Sequence, residues 1–353
     1  MGQKIMVGMS GGVDSSVAAC LLLRQGYDVT GVTFKLWDDP AGDSGCCSAD
    51  DVRDAAFVCE QLGIPHYVIN YKELFREKVV APFAEEYLHG RTPNPCINCN
   101  RYIKFGAFSH KLKELGFDLM ATGHYARCGY NDATGRWELR RGIYPEKDQS
   151  YVLCHLTQEQ LAMLRLPLGE YSKPQIRAIA EESGLVVAKK PDSQDICFVP
   201  DGDYASFIRS FTGRDYPRGE FVDKSGNVLG EHRGLICYTV GQRKGLGIAL
   251  GEPRYVTALM PKENRVVLGS NEDLMSRELD AKNFNFIAFD TPPAEFRASA
   301  RVRYRQAEQP ATVRVTGEDT VHITFDEPQR AITKGQAVVV YDGDVVIGGG
   351  EIC

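Results

Sequence analysis

No stretch of the chain approaches the ~20 consecutive apolar residues that a membrane-spanning helix requires. Met1 to Met9 carries one Lys and runs straight into a strand-like segment, without the apolar core and small-residue cleavage site of a secretory signal. The expectation is a cytoplasmic protein that does not engage membranes. Neither Pro nor Gly is abundant enough for disorder, and no internal repeat points to a solenoid or propeller. Eleven cysteines, an odd number scattered over 353 residues, do not make the compact disulfide framework of a small secreted domain. Cys20, Cys59, Cys154 and Cys237 have apolar neighbours and read as small core hydrophobes. A net charge of −6 argues against indiscriminate nucleic-acid binding while leaving room for a local basic face. What remains, 43% hydrophobic and 25% charged, is ordinary for a chain of two or three globular domains.

Strand and helix signals alternate through the N-terminal half. Lys4 to Met9, Asp28 to Leu36, His66 to Asn70 and Asp118 to Thr122 read as strands; Val17 to Arg24, Asp50 to Leu62, Glu73 to Leu88 and Tyr102 to Leu115 read as helices. Such alternation predicts an α/β domain, Rossmann-like, with a mostly parallel sheet covered on both faces. From about residue 205 helical signals nearly vanish and short runs broken by Gly, Asn, Asp and Pro take over, among them Leu235 to Val240, Asn283 to Phe289 and Ala298 to Arg305. We therefore expect a nucleotide-binding and catalytic domain over 1–204, a small central β-rich domain over 205–280, and a C-terminal β-barrel over 281–353.

Between the first strand and first helix lies Ser10-Gly11-Gly12-Val13-Asp14-Ser15-Ser16. Backbone N–H groups and the positive end of a helix converge on an anion at such a junction, and glycines let the backbone approach phosphate closely. The loop lacks the Gly-Lys-Ser/Thr ending of a γ-phosphate loop and the third glycine of a dinucleotide fingerprint, which points to a mononucleotide cleaved between its α and β phosphates. Asp14 is a candidate Mg²⁺ ligand. Gly123-His124 ends a later strand and so belongs at the carboxyl edge of the sheet; His124 reads equally as a substrate contact and as a packed structural residue.

Thr92-Pro93-Asn94-Pro95-Cys96-Ile97-Asn98-Cys99 is a proline-stiffened loop opening a helix, a setting that lowers a thiol's pKa. Cys99 and Cys96 are candidate thiolates, and Cys197 follows in a polar segment, Asp192-Ser193-Gln194-Asp195-Ile196-Cys197. Two such thiols at one crevice can serve as nucleophile and sulfur carrier. Cys-x-x-Cys is also half of a zinc site, but the second pair is missing and the adjacent Cys46-Cys47 has the wrong spacing. Cys96, Cys99 and Cys197 together would supply three thiolates to an iron–sulfur cluster with an open iron. Farther on, Arg301, Arg303 and Arg305 alternate around Tyr304; on a strand they would put three cations on one face, suited to phosphates or simply to solvent. Arg243-Lys244 offers a second basic turn.

Gly8-Met9-Ser10-Gly11-Gly12-Val13-Asp14-Ser15, Cys46-Cys47-Ser48, Thr92-Pro93-Asn94-Pro95, Gly123-His124-Tyr125, Lys147-Asp148-Gln149-Ser150-Tyr151, Asp192 to Phe198 and Gly241-Gln242-Arg243 in combination resemble the tRNA-specific 2-thiouridylases over nearly the whole chain. The resemblance implies an ATP-pyrophosphatase domain, a small central domain and a C-terminal barrel. It implies that ATP, with Mg²⁺, adenylates C2 of the wobble uridine in tRNAs for Lys, Glu and Gln before sulfur replaces that oxygen. Gly8, Met9, Ser10, Gly11, Gly12, Val13, Asp14, Ser15, Phe34 and Gly123 then fall at ATP; Cys197 matches a persulfide carrier and Cys99 a nucleophile that would form a transient disulfide with it. Asn94, Pro95 and Cys96 would surround the target base, and His124, Lys147, Asp148, Gln149, Arg303, Tyr304 and Gln336 would touch tRNA. A sulfur carrier protein or a cysteine desulfurase is the implied persulfide source. Many family members carry Asp where Cys96 stands, so a base role there lacks its carboxylate, and the extra thiol favours the cluster alternative. Two rivals stay open: an amidotransferase-type ATP pyrophosphatase, which needs neither the thiols nor a basic barrel, and an RNA-binding protein holding ATP as a structural ligand.

Overall fold

A computed structural model describes residues 2–37, 48–192, 196–199 and 201–353. The Cys46-Cys47 pair and Ser193-Gln194-Asp195 lie outside the described residues. Lys4–Gly8 (β1), Asp28–Lys35 (β2), His66–Asn70 (β3) and Leu119–Ala121 (β4) pair in parallel in the order β3-β2-β1-β4. β1, β2 and β4 are almost wholly buried because helices cover both faces, while β3, at the edge, stays largely exposed. The loop after β1 leads into helix α1 (Val13–Arg24), and α2 (Ala49–Gln61) opens on a capping box between Ser48 and Asp51.

The helix expected over Glu73 to Leu88 is continuous but changes winding: Lys72–Phe75 and Ala81–Leu88 are α-helical, and Arg76–Val80 between them is π-helical. The Pro-Cys-Ile-Asn segment opens a short α-turn, Pro95–Asn98, that passes into a π-helix, Cys99–Ala107, and then into Phe108–Glu114. Wide π-winding of this kind is uncommon and recurs where a helix bears functional side chains.

After β4 a hairpin, Ala126–Asn131 (β5) and Arg136–Arg141 (β6), leaves the parallel sheet; Leu164–Arg165 (β7) returns to pair with β4. The central region is a four-stranded sheet of Gly219–Val222 (β8), Val228–His232 (β9), Tyr255–Met260 (β10) and Arg265–Gly269 (β11) in the order β10-β11-β8-β9. Met275–Phe286 (β12), Glu295–Arg301 (β13), Gln309–Val315 (β14), Val321–Arg330 (β15), Ala337–Asp342 (β16) and Val345–Ile352 (β17) follow in the order β12-β15-β14-β13-β16-β17, and the β12–β17 pairing closes them into a six-stranded barrel. The N-terminal half reaches onto that barrel: β6 pairs with β17 at Val345 and Arg140.

Three sequence expectations need correction. Helix persists past residue 204, as Tyr204–Thr212, because Trp37, Phe83 and Phe198 give Phe207 an aromatic seat. Leu235–Cys237 is a 3₁₀ turn rather than a strand. The strand expected through Arg305 ends at Arg301, so the arginines do not share a face: Arg301 lies against Asp148 and over the Tyr341 ring, Arg303 donates to the carbonyls of Val240 and Ala331 and to Thr333 Oγ1, and Arg305 is exposed.

Candidate active site

The phosphate loop is built from the β1 end outward. Met9 N donates to Val32 O at 2.7 Å and Thr33 Oγ1 donates to Met9 O at 2.9 Å, which fixes the exit of β1. Gly11 has φ +70° and lies so close to the Asp51 backbone that no Cβ fits. Gly12 occupies the N-cap of α1, and no side chain caps that end. The first helical N–H groups therefore remain for an anion, supported by the helix dipole. Ser15 Oγ approaches Ser10 Oγ at 3.2 Å, and Ser16 Oγ donates to Gly12 O at 2.8 Å, so the loop is braced from within.

Gly123 closes the other side. A Cβ there would stand 2.8 Å from both Asp14 C and Ser15 N, so strand end and helix start touch backbone to backbone. Gly123→Ala must push the first turn of α1 aside; we expect a loss of about 1 to 3 kcal/mol in stability and at least tenfold weaker ATP binding, equivalent to about 1.4 kcal/mol. Urea unfolding and calorimetric titration with Mg-ATP measure the two effects separately. The residues that fit a magnesium nucleotide are thus the loop N–H groups and Asp14. Asp14 Oδ1 accepts from Tyr125 Oη at 2.6 Å and Lys173 Nζ at 2.7 Å. Burial, and then Asp14 itself, push the Tyr125 phenol far up, so it stays a donor.

A ring of charge that sequence reasoning missed surrounds the loop. Lys190 Nζ donates to Gly11 O at 3.1 Å, Asp51 at 2.7 Å and Asp54 at 2.6 Å. Lys173 also meets Asp192 at 2.7 Å, and Lys147 and Arg177 meet the same carboxylate at 2.9 and 3.0 Å. Burial works against ionisation of Asp192, but its bonds to Lys173 and Lys147 outweigh this and hold the carboxyl below its ordinary value.

Asn94 caps the short helix of the thiols, its Oδ1 accepting from Cys96 N at 3.1 Å, and Pro95 takes the first helical position. Cys96 is exposed and Tyr304 is 37% exposed, whereas Cys99 is buried. Cys197, half-buried, packs against the same apolar cluster that contains Cys99 and Phe34. Phe34 in β2 is 4.8 Å from the Phe108 ring, edge to face. Among the described residues no three His, Cys, Asp or Glu side chains converge as a metal-ligand set.

The residues expected at tRNA divide. Tyr304 is exposed and Lys147 partly so. Asp148 is 4% exposed and committed inward, accepting from Gly142 N, Ser150 N and Ser150 Oγ at 3.2, 3.1 and 2.9 Å. Gln149 Oε1 accepts from Tyr125 N, Gln336 Nε2 donates to Thr92 O, and Arg303 is held by the three acceptors given above. His124 is buried, with Nδ1 2.8 Å from Thr122 Oγ1 and its ring on Phe105; burial, then Lys104, keeps it neutral well below the ordinary His range.

His155 sits where the catalytic half meets the barrel, between backbone carbonyls of Cys154 and Leu156 that both accept from Asn285. Burial, then Arg101, lowers its pKa from 6.5 to about 4. A base depressed in the fold takes up its proton first in the unfolded chain, so this stability is present at neutral pH and lost as pH falls from about 6.5 toward 4. The loss amounts to about 3 kcal/mol. Denaturant unfolding at pH 7, 5.5 and 4.5 should show it, and His155→Gln, which cannot titrate there, should flatten that part of the profile.

An uncapped, glycine-lined helix end at the first β/α junction, braced by lysines, defines a nucleotide-binding α/β enzyme of the ATP-pyrophosphatase type. Comparison with known proteins narrows this. Residues 3–201 match the tRNA methyl transferase HUP domain family, 205–270 the tRNA methyl transferase PRC-barrel domain and 276–352 the aminomethyltransferase beta-barrel domain. The tRNA-specific 2-thiouridylase MnmA of Clostridioides difficile is 53% identical over 100% of this chain and 98% of its own. The proteins of the same name from Carboxydothermus hydrogenoformans and Acetivibrio thermocellus are 54% and 50% identical, each over 99% of this chain and over 97% and 99% of their own. The chain belongs to the tRNA-specific 2-thiouridylase family.

Proposed function

We propose that the protein replaces the C2 oxygen of the wobble uridine, position 34, of tRNA(Lys), tRNA(Glu) and tRNA(Gln) with sulfur, releasing AMP and pyrophosphate. The α1 N-terminus and loop N–H groups hold the polyphosphate, Asp14 would hold a Mg²⁺ whose charge would offset that of the phosphates, and Gly123 lets the first turn of α1 pack against the strand end. Uridine C2 carries no leaving group until its oxygen is adenylated. The terminal sulfur of a Cys197 persulfide attacks C2 and AMP departs, leaving the base joined to Cys197 through a disulfide. Cys99 thiolate then attacks the Cys197 sulfur; a Cys99–Cys197 disulfide forms, 2-thiouridine is released, and an external thiol reduces the disulfide for the next cycle.

The observation that carries this reading is the packing of Cys99 and Cys197 against one apolar cluster that also includes Phe34 of the nucleotide-side strand β2. A water-poor setting suits a persulfide that must not be lost to solvent. An anticodon-loop base can unstack into it more cheaply than a duplex base, and Tyr304 offers an exposed ring on which such a base can stack. The persulfide would come from a sulfur carrier protein or a cysteine desulfurase in the cytoplasm. Unmodified tRNA incubated with Mg-ATP and either a persulfide donor or sulfide tests the reading by nucleoside mass spectrometry. Persulfide-driven 2-thiouridine from iron-free protein is expected; its absence with both donors would overturn the assignment.

A further inference from the structure

Lys190 ties the phosphate loop to the start of α2. Its ammonium has three protons, and each has an acceptor: Gly11 O at 3.1 Å, Asp51 Oδ1 at 2.7 Å and Asp54 Oδ2 at 2.6 Å. A lysine that binds phosphate needs a donor to spare, and here one is freed only by leaving a carboxylate or the loop carbonyl unpaired. Both ends of the tie are fixed. Asp51 Oδ2 accepts from Ser48 N at 3.2 Å in the capping box of α2, and it is the Asp51 backbone that crowds Gly11. The main chain of Lys190 is anchored by Arg177, which donates to Ala188 O and Lys190 O at 3.1 and 3.3 Å.

The bond to Gly11 O bears on the anion site through the geometry of one peptide. In a trans peptide the carbonyl and the N–H that follows it point in opposite directions, so holding Gly11 O toward Lys190 turns the Gly12 N–H away from it. Gly12 is the N-cap of α1, and its N–H is the first of those that an α-helix leaves without a partner. The residues on both sides of this peptide are glycines, Gly11 with φ +70°, so neither has a Cβ to resist rotation of the peptide between them. A rotated peptide would present an oxygen where a phosphate needs a proton. The next carbonyl has its own brace within α1, Gly12 O accepting from Ser16 Oγ at 2.8 Å. Resting on the nucleotide reading above, we infer that Lys190 is a positioning residue for the polyphosphate: by holding Gly11 O against the start of α2, it sets the Gly12 N–H toward the phosphates without touching them.

Calorimetric titration of the full chain with Mg-ATP, and separately with adenosine, tests the assignment on proteins shown by circular dichroism to be folded. Lys190→Met should bind Mg-ATP at least about tenfold more weakly, while its adenosine affinity stays within about twofold of wild type. The triple variant Lys190→Met/Asp51→Asn/Asp54→Asn replaces two carboxylates and one ammonium with neutral side chains, so it folds free of unpaired acids and is less negative at the loop than wild type. It should still bind Mg-ATP at least about tenfold more weakly than wild type, because Gly11 O lacks its donor. Wild-type Mg-ATP affinity in the triple variant would reduce Lys190 to a neutraliser of the two acids and overturn the inference. Unchanged Mg-ATP affinity in Lys190→Met, or an equal loss for adenosine and Mg-ATP, would overturn it too, and each of these results leaves the nucleotide site standing. Failure of the wild type to bind Mg-ATP would remove the nucleotide reading and this inference with it.

Discussion

Cys197→Ser should abolish 2-thiouridine formation, lowering the single-turnover rate by at least about a thousandfold, while tRNA affinity stays within about twofold of wild type. Serine has nearly the same volume, and the side chain is half-buried against an apolar cluster rather than at a charged surface, so neither the fold nor the surface potential changes much. A hydroxyl cannot hold a transferable sulfur. Cys99→Ser should fall at the next step, stopping after AMP release with the base still bonded to Cys197. Gel separation of a tRNA adduct that dithiothreitol dissolves distinguishes the two. If both variants kept full turnover, the thiol pair would have no part in the reaction.

Asp148→Ala should destabilise the chain by about 3 to 5 kcal/mol, the largest stability loss expected of any substitution considered. Asp148 is buried where the catalytic half meets the barrel, and Arg301, only 12% exposed, lies 3.7 Å from it. Arg301 and Arg141 both lie over the Tyr341 ring, at 5.6 and 4.0 Å. Alanine would leave Arg301 without its carboxylate and strip the Gly142 and Ser150 N–H groups of their acceptor. Arg305→Ala, at an exposed position nearby, should stay within about 0.5 kcal/mol of wild type. Denaturant unfolding of the two variants measures the contrast. A small loss for Asp148→Ala would mean that the catalytic half and the barrel do not depend on this junction.

Strands β1 and β4 and the phosphate loop were legible because a buried parallel strand is a continuous apolar run and a glycine pair at its end has few other uses. The β5–β6 hairpin was not. Its strands carry Arg127, Arg136, Arg140 and Arg141, which read as surface, whereas their acidic partners include Asp344, Asp290 and Glu308, far away in the chain. The same long-range pairing hid Lys173, Arg177 and Lys190 around the loop, since nothing local in the sequence ties them to Asp14, Asp51 or Asp192. The arginine run misled in the opposite direction: alternation suggested one cationic face, but the strand ends at Arg301 and two of the three guanidinium groups turn inward.

The central claim is that cleavage of ATP between its α and β phosphates is stoichiometrically tied to thiolation of one uridine. A single-turnover experiment with ATP labelled at the α-phosphate, persulfide-loaded protein and unmodified tRNA(Glu) tests it most directly. AMP and 2-thiouridine at position 34 should appear in a one-to-one ratio, with no labelled ADP; labelled ADP, or AMP released without any thiouridine, would contradict the account.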